Sequence, residues 1–189
     1  MRASTYGAVS EHLWHLETGS DAAMRLLTEV VRLTLRSHVP ADAENLQQLL
    51  AENADHLMSS GDYRDEIATT VEQWRGQFDL DGDAGAVAHS FGMWLDDEEL
   101  VGRIVLVPVD PPKYSVGYWV TNPQQGKGFA TASVRAIVDH AAFLGATELF
   151  AGVSHGNVPS RRVLENCGFV EVVELEHHTR FCRQITPLG

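Results

Sequence analysis

Residues 118–131, Tyr-Trp-Val-Thr-Asn-Pro-Gln-Gln-Gly-Lys-Gly-Phe-Ala-Thr, constrain the fold more than any other part of this 189-residue chain. Up to Thr121 the residues are β-branched or aromatic, as a strand requires, and Pro123 stops the pattern. From Ala130 the apolar residues Ala130, Val134, Ile137, Val138, Ala141 and Leu144 recur at helical spacing until Gly145. A strand therefore passes into a helix across Gly126 and Gly128. The first amides of any helix lack intrahelical acceptors, and a Ser, Thr, Asp or Asn usually caps one of them. None stands in Gln125-Gly126-Lys127-Gly128. The glycines let the backbone approach a ligand, while Lys127 and the helix dipole favour an anion. The turn is suited to phosphate, with an ordinary glycine turn as the plain alternative.

Two common phosphate loops do not fit. A Walker loop needs Ser or Thr after its Gly-Lys, and Gly128 stands there. The dinucleotide fingerprint needs a third glycine where Thr131 stands. A nucleotide phosphotransferase is disfavoured accordingly. The run Gln125-Gly126-Lys127-Gly128-Phe129-Ala130 matches Gln-x-x-Gly-x-Ala and resembles the acetyl-coenzyme A signature of the GNAT superfamily of N-acetyltransferases. A second run, Asn157-Val158-Pro159-Ser160 with Gly168-Phe169 after it, resembles the Asn-x-x-Ser and Gly-Phe segment of the RimJ/RimL-like branch, which includes ribosomal-protein N-terminal acetyltransferases. The resemblance spans residues 30–185, the first half only in its order of elements.

Composition agrees with one globular domain, 29–189, behind an extension, 1–28, that packs on the domain or on a partner subunit, as in a homodimer. The chain is 44% apolar. No run reaches the roughly 18 apolar residues of a membrane span, and no basic-then-apolar leader opens the chain. Cys167 and Cys182 form neither a disulfide framework nor a metal spacing. A soluble cytoplasmic protein without membrane or metal partner is expected, and His12 and His15 have no companion ligand nearby. A net charge of −12 argues against nucleic acid. Residues 122–168 hold four Lys or Arg against three Asp or Glu, so the acid lies elsewhere. That field suits an anionic cofactor beside the neutral part and a cationic acceptor beside the rest, or simply keeps the protein soluble.

The remaining pattern predicts a strand over 30–36, helices over 41–57 and 65–78, a polar turn at Asp79, Asp81 and Asp83, and strands over 86–95, 100–107 and 114–121 with an acidic hairpin tip at 96–99. A strand over 148–153, a helix over 157–167 and a closing hairpin of 170–175 with 179–185 follow. The fold class is α/β, a mixed, partly splayed sheet with helices on both faces.

The resemblance implies acetyl transfer from acetyl-coenzyme A to a primary amine, a protein N-terminus or a small amine. It carries over the cofactor contact to Trp119, Val120 and Thr121, where the strand should leave its parallel neighbour, to Gln125, Gly126, Lys127, Gly128, Phe129, Ala130 and Thr131, and to Asn157. Ser160 would hydrogen-bond the departing thiolate, although Asn157 and Ser160 equally suit a helix cap. Relatives carry a Glu where this chain has Ser115, which leaves His89, His155 or an acidic residue of 96–99 as the base. A domain that binds acyl-coenzyme A without catalysis is the other reading.

Overall fold

The structure, a computed structural model, describes residues 14–15, 23–81 and 88–187. Among the described residues nine strands form one sheet: β1 (Trp14–His15), β2 (Arg25–Leu27), β3 (Leu33–Ser37), β4 (His89–Leu95), β5 (Glu99–Asp110), β6 (Lys113–Val120), β7 (Glu148–Ser154), β8 (Val170–Glu174) and β9 (His178–Gln184). Their spatial order is 1-2-3-4-5-6-7-9-8. All neighbours are antiparallel except β6 and β7, joined by a helical crossover. That parallel pair holds only over Lys113, Tyr114 and Ser115, opposite Glu148, Leu149 and Phe150. Beyond Ser115 the two strands diverge, and the expected splayed, mixed α/β sheet is observed.

Helices cover both faces. On one lie α5 (Phe129–Phe143) and α6 (Val158–Asn166), burying Val134, Ile137, Ala141 and Leu164 against Ile104, Val116 and Leu149. On the other lie α1 (Ala43–Glu52), α2 (Ala54–Ser60), α3 (Arg64–Ala68) and α4 (Val71–Asp81), with Leu46, Leu50, Leu57, Trp74 and Phe78 packed on Trp94, Leu100 and Trp119. Alternation along β6 sends Val116, Tyr118 and Val120 to the first face and Trp119 to the second.

Where the pattern predicts two helices before β4, the described residues make four α-helices. Asn53 turns its amide onto Leu49 O (2.9 Å) and interrupts the first. Thr70 starts a new helix through a reciprocal capping box: Gln73 N–H donates to Thr70 Oγ1 (3.3 Å) and Thr70 N–H to Gln73 Oε1 (2.8 Å). Asp79 and Asp81 extend that helix instead of forming a turn. The strand expected over 30–36 is β3 and begins at Leu33 because residues 29–32 turn, and Thr28 Oγ1 anchors that turn on Val30 O and Leu33 O. Leu95 pairs with Glu99 across Asp96, Asp97 and Glu98; Asp96 and Asp97 take positive φ, as the two central residues of a turn that Glu98 N–H closes onto Leu95 O (3.0 Å). Within the expected extension, β2 pairs with β3, so the sheet reaches further toward the N-terminus than the pattern suggests. His12, Asp83 and the start of the 86–95 strand lie outside the described residues.

Candidate active site

The divergence of β6 from β7 opens a cleft of about 870 Å³ between the N-termini of α5 and α6 and the α2–α3 segment. Ladder geometry decides which backbone groups face it. Thr121 N–H donates to Val101 O on β5 (2.8 Å). In an antiparallel pair this direction alternates, so Trp119 and Gly117 also turn to β5, whereas Val120, Tyr118 and Val116 turn to the gap. Of the three strand positions singled out by the sequence, Val120 presents its amide to the cleft. Trp119 also lines it, and Thr121 does not.

At the far end of the cleft α5 begins. Gly128 is its N-cap with φ 83°, and no side chain caps the helix. Gly126 has φ 71°. A Cβ at either glycine would meet nothing within 4 Å, so left-handed backbone, and not crowding, is why glycine stands there. Gln125, Gly126, Gly128, Phe129, Ala130 and Thr131 line the cleft. Lys127 does not; its Nζ donates to Gln124 Oε1 (2.6 Å). Arg162 of α6 lines the cleft, a cation the motif reading passed over.

The second motif converges on the same space. Asn157 caps α6, its Oδ1 accepting from Ser160 N–H (3.1 Å), while its Nδ2 donates to Ser60 O at the end of α2 (2.8 Å). The same amide therefore caps one helix and latches another across the cleft. Ser160 lines the cleft beside it and makes no side-chain hydrogen bond among the described residues. Its carbonyl accepts from the Tyr118 hydroxyl (3.2 Å). Tyr63 donates to Tyr118 O (3.2 Å), reaching from the head of α3 into the gap, and burial pushes its phenol up to about 12. Asn53 Oδ1 accepts from Asn122 N–H (3.1 Å), and His56 meets Gln125. The segment 53–63 thus roofs the cleft through both lips. Sequence gave little signal for these roofing contacts, since they join residues far apart in the chain.

None of the proposed bases lines the cleft. His89 packs edge-on against His140 of α5, with ring centroids 5.1 Å apart, and burial lowers its pKa. His155 faces Glu174 of β8 (3.8 Å). At the hairpin tip Asp96 pairs with Arg32, Asp97 with Arg25, and Glu99 accepts from Gln124.

A family model described as "Acetyltransferase (GNAT) domain" matches residues 32–170. The chain belongs to the GNAT acetyltransferase family. It is an acetyltransferase, as the two motifs imply. The Bacillus subtilis (strain 168) protein YdaF, whose name describes a ribosomal N-acetyltransferase, is 33% identical over 156 residues, 74% of this chain and 78% of that protein. Mycobacterium smegmatis RimJ, solved with a coenzyme A disulfide, has 24% identity and a TM-score of 0.68 over 80% of this chain and 81% of its own. RimL, a ribosomal L7/L12 α-N-protein acetyltransferase solved with coenzyme A, has 21% identity and a TM-score of 0.74, covering 86% of this chain and 98% of its own. Among the described residues no helix is long and apolar enough to cross a membrane.

Proposed function

We propose that this GNAT acetyltransferase takes its acyl group from acetyl-coenzyme A and delivers it to a primary amine, the N-terminal amine of a protein. The observation that carries the donor is the coincidence, in one cleft, of an uncapped helix N-terminus with a strand whose backbone has lost its partner. A diphosphate suits the amides of Gly126 to Ala130, and Arg162 adds a positive charge beside them. The pantetheine arm, itself built of amides, pairs with the exposed edge of β6. Val120 N–H then stands where a thioester oxygen gathers charge, and one such donor contributes about 3 to 4 kcal/mol to a transition state.

The acceptor enters from the other end, past the α2–α3 junction, where Met58, Ser59, Gly61, Asp62, Arg64 and Ser154 line a second hollow. A protein acceptor is favoured by the name of the B. subtilis relative, a ribosomal N-acetyltransferase, and a cationic one by the acid that the sequence carries outside residues 122–168. The chemistry balances as nucleophilic attack by a neutral amine on the thioester carbon, collapse with cleavage of the C–S bond, and transfer of the second amine proton to the departing thiolate. The Ser160 hydroxyl, on a residue that lines the cleft and without a hydrogen-bond partner among the described residues, would hydrogen-bond that thiolate.

The test is release of free thiol from acetyl-coenzyme A with a panel of peptides bearing free α-amino groups. Ser160→Ala is expected to lower kcat by roughly 10- to 100-fold while leaving the coenzyme A Kd within two-fold, since its cap contact uses only the backbone N–H. Equal loss in both constants would remove Ser160 from the chemistry. A wild-type protein that binds the cofactor but releases thiol no faster than water would favour a binding module instead.

A further inference from the structure

Neither proposed histidine lines the cleft, and Glu66 of α3 does not line it either, but Glu66 brings a carboxylate from another element against Trp119 of β6, which does. Glu66 of α3 lies against that strand with its side chain 19% exposed. Its Oε1 accepts from Trp119 Nε1 on β6 (2.9 Å) and from Arg103 Nη1 on β5 (2.9 Å). Its Oε2 accepts from no described residue. Two donors, one from each strand, therefore fix the carboxylate and leave one oxygen to receive something else.

The surroundings supply room for an amine. Ser115, Gly117 and Trp119 share the face of β6 that α3 covers. At Gly117, an exposed position two residues before the indole that Glu66 holds, a Cβ would meet only Val105 Cγ1 (3.5 Å) within 4 Å, so the strand lies open there. Tyr63, one turn before Glu66 and on the same side of α3, reaches the gap itself. The other nearby carboxylates are engaged or exposed: Asp62 pairs with Arg64, Glu174 is 73% exposed beside His155, and buried Asp42 holds Arg36 and Val39 N–H.

The geometry points to Glu66 as the catalytic residue that binds the acceptor ammonium and removes its first proton. This rests on the acetyl-transfer reading above. The free Oε2 takes one N–H proton from R–NH₃⁺ and passes it to solvent. The nitrogen lone pair forms the C–N bond to the thioester carbon, the C–S bond breaks, and the second proton leaves with the thiolate. The charged and titratable groups facing Glu66 are Arg103 of β5 and Tyr63 of its own helix; Trp119 of β6 is neutral.

Glu66→Gln keeps an oxygen for Trp119 and Arg103 but cannot take a proton. Measured with the peptide that the wild type turns over fastest, it should lower kcat/KM at pH 7 by at least about 100-fold, with the coenzyme A Kd by calorimetry within two-fold. The deficit should shrink above pH of about 8, as the α-amino group deprotonates by itself. Activity within three-fold of wild type, a deficit constant with pH, or an equal loss of cofactor affinity would overturn the assignment. If Glu66→Gln fails to fold by near-ultraviolet circular dichroism, Glu66→Asp decides. It retains a carboxylate, so a loss of less than about 100-fold that follows the wild-type pH profile supports the assignment, and a larger loss or a changed profile overturns it. A wild type that releases no thiol with any peptide overturns the acetyl-transfer reading, and this one with it.

Discussion

Gly128→Asp is expected to weaken coenzyme A binding about a thousand-fold while leaving the fold intact. Gly128 is the N-cap of α5 at φ 83° with open space around its Cα. Asp is among the residues that tolerate left-handed backbone best, and a carboxylate near a helix N-terminus is favourable to the helix itself. The cost of the backbone change is therefore about 1 kcal/mol, partly offset by the dipole. For a bound diphosphate the same carboxylate is a like charge. At about 4 Å and an effective dielectric near 20 the repulsion is roughly 4 kcal/mol, a factor near a thousand. Gly128→Ala, which adds backbone strain without charge, separates the two effects and should bind within about ten-fold of wild type. Isothermal titration with coenzyme A and thermal melts of the three proteins check this. A Gly128→Asp protein that melts normally and binds normally would move the diphosphate away from this turn.

That turn could be read from sequence because its constraint is local. Positive φ calls for glycine, an uncapped helix start lacks a capping side chain, and both appear as letters within six residues. Asn157 was equally visible as a cap, but its second bond, to Ser60 O, joins residues far apart in the chain, and no spacing encodes it. The same limit applies to β6. Its aromatic and β-branched pattern identifies a strand, yet whether Val120 or Trp119 turns its amide to the gap depends on which neighbour occupies the other side. Thr121 bonding to Val101 settles that parity, and only the assembled sheet contains it. The break at Thr70 is a different case. Thr70-Val71-Glu72-Gln73 is a capping box in plain sequence, overridden in the reading by the apolar period that runs through it. Glu66 left no signal at all, because a Glu in the first turn of an amphipathic helix is ordinary until Trp119 and Arg103 are brought to it.

Histidines that the chemistry does not use are expected to set the acid limit of the fold. His140 of α5 is buried, and desolvation, with a contribution from His89, lowers its pKa from 6.5 to about 4. Burial, assisted by Arg103 and Arg36, also holds His38 well below its usual range, stacked on Phe78 at 4.5 Å between ring centroids. In the unfolded chain these rings take a proton near pH 6.5, whereas in the folded chain they resist it. Between about pH 6.5 and 4 the unfolded state therefore binds more protons, and stability falls as pH falls. The contribution is fully present above pH 6.5. For His140 it amounts to about 3 kcal/mol at most, which in a chain of this size is roughly 6 to 12 °C in Tm. His140→Leu removes the titrating group from the interface with His89 and Phe91 and should flatten the wild-type decline in Tm between pH 7 and 4 by about that amount. Two melting curves that fall in parallel over this range would show that His140 is protonated in the folded protein, and that desolvation at the β4–α5 contact is weaker than its burial implies.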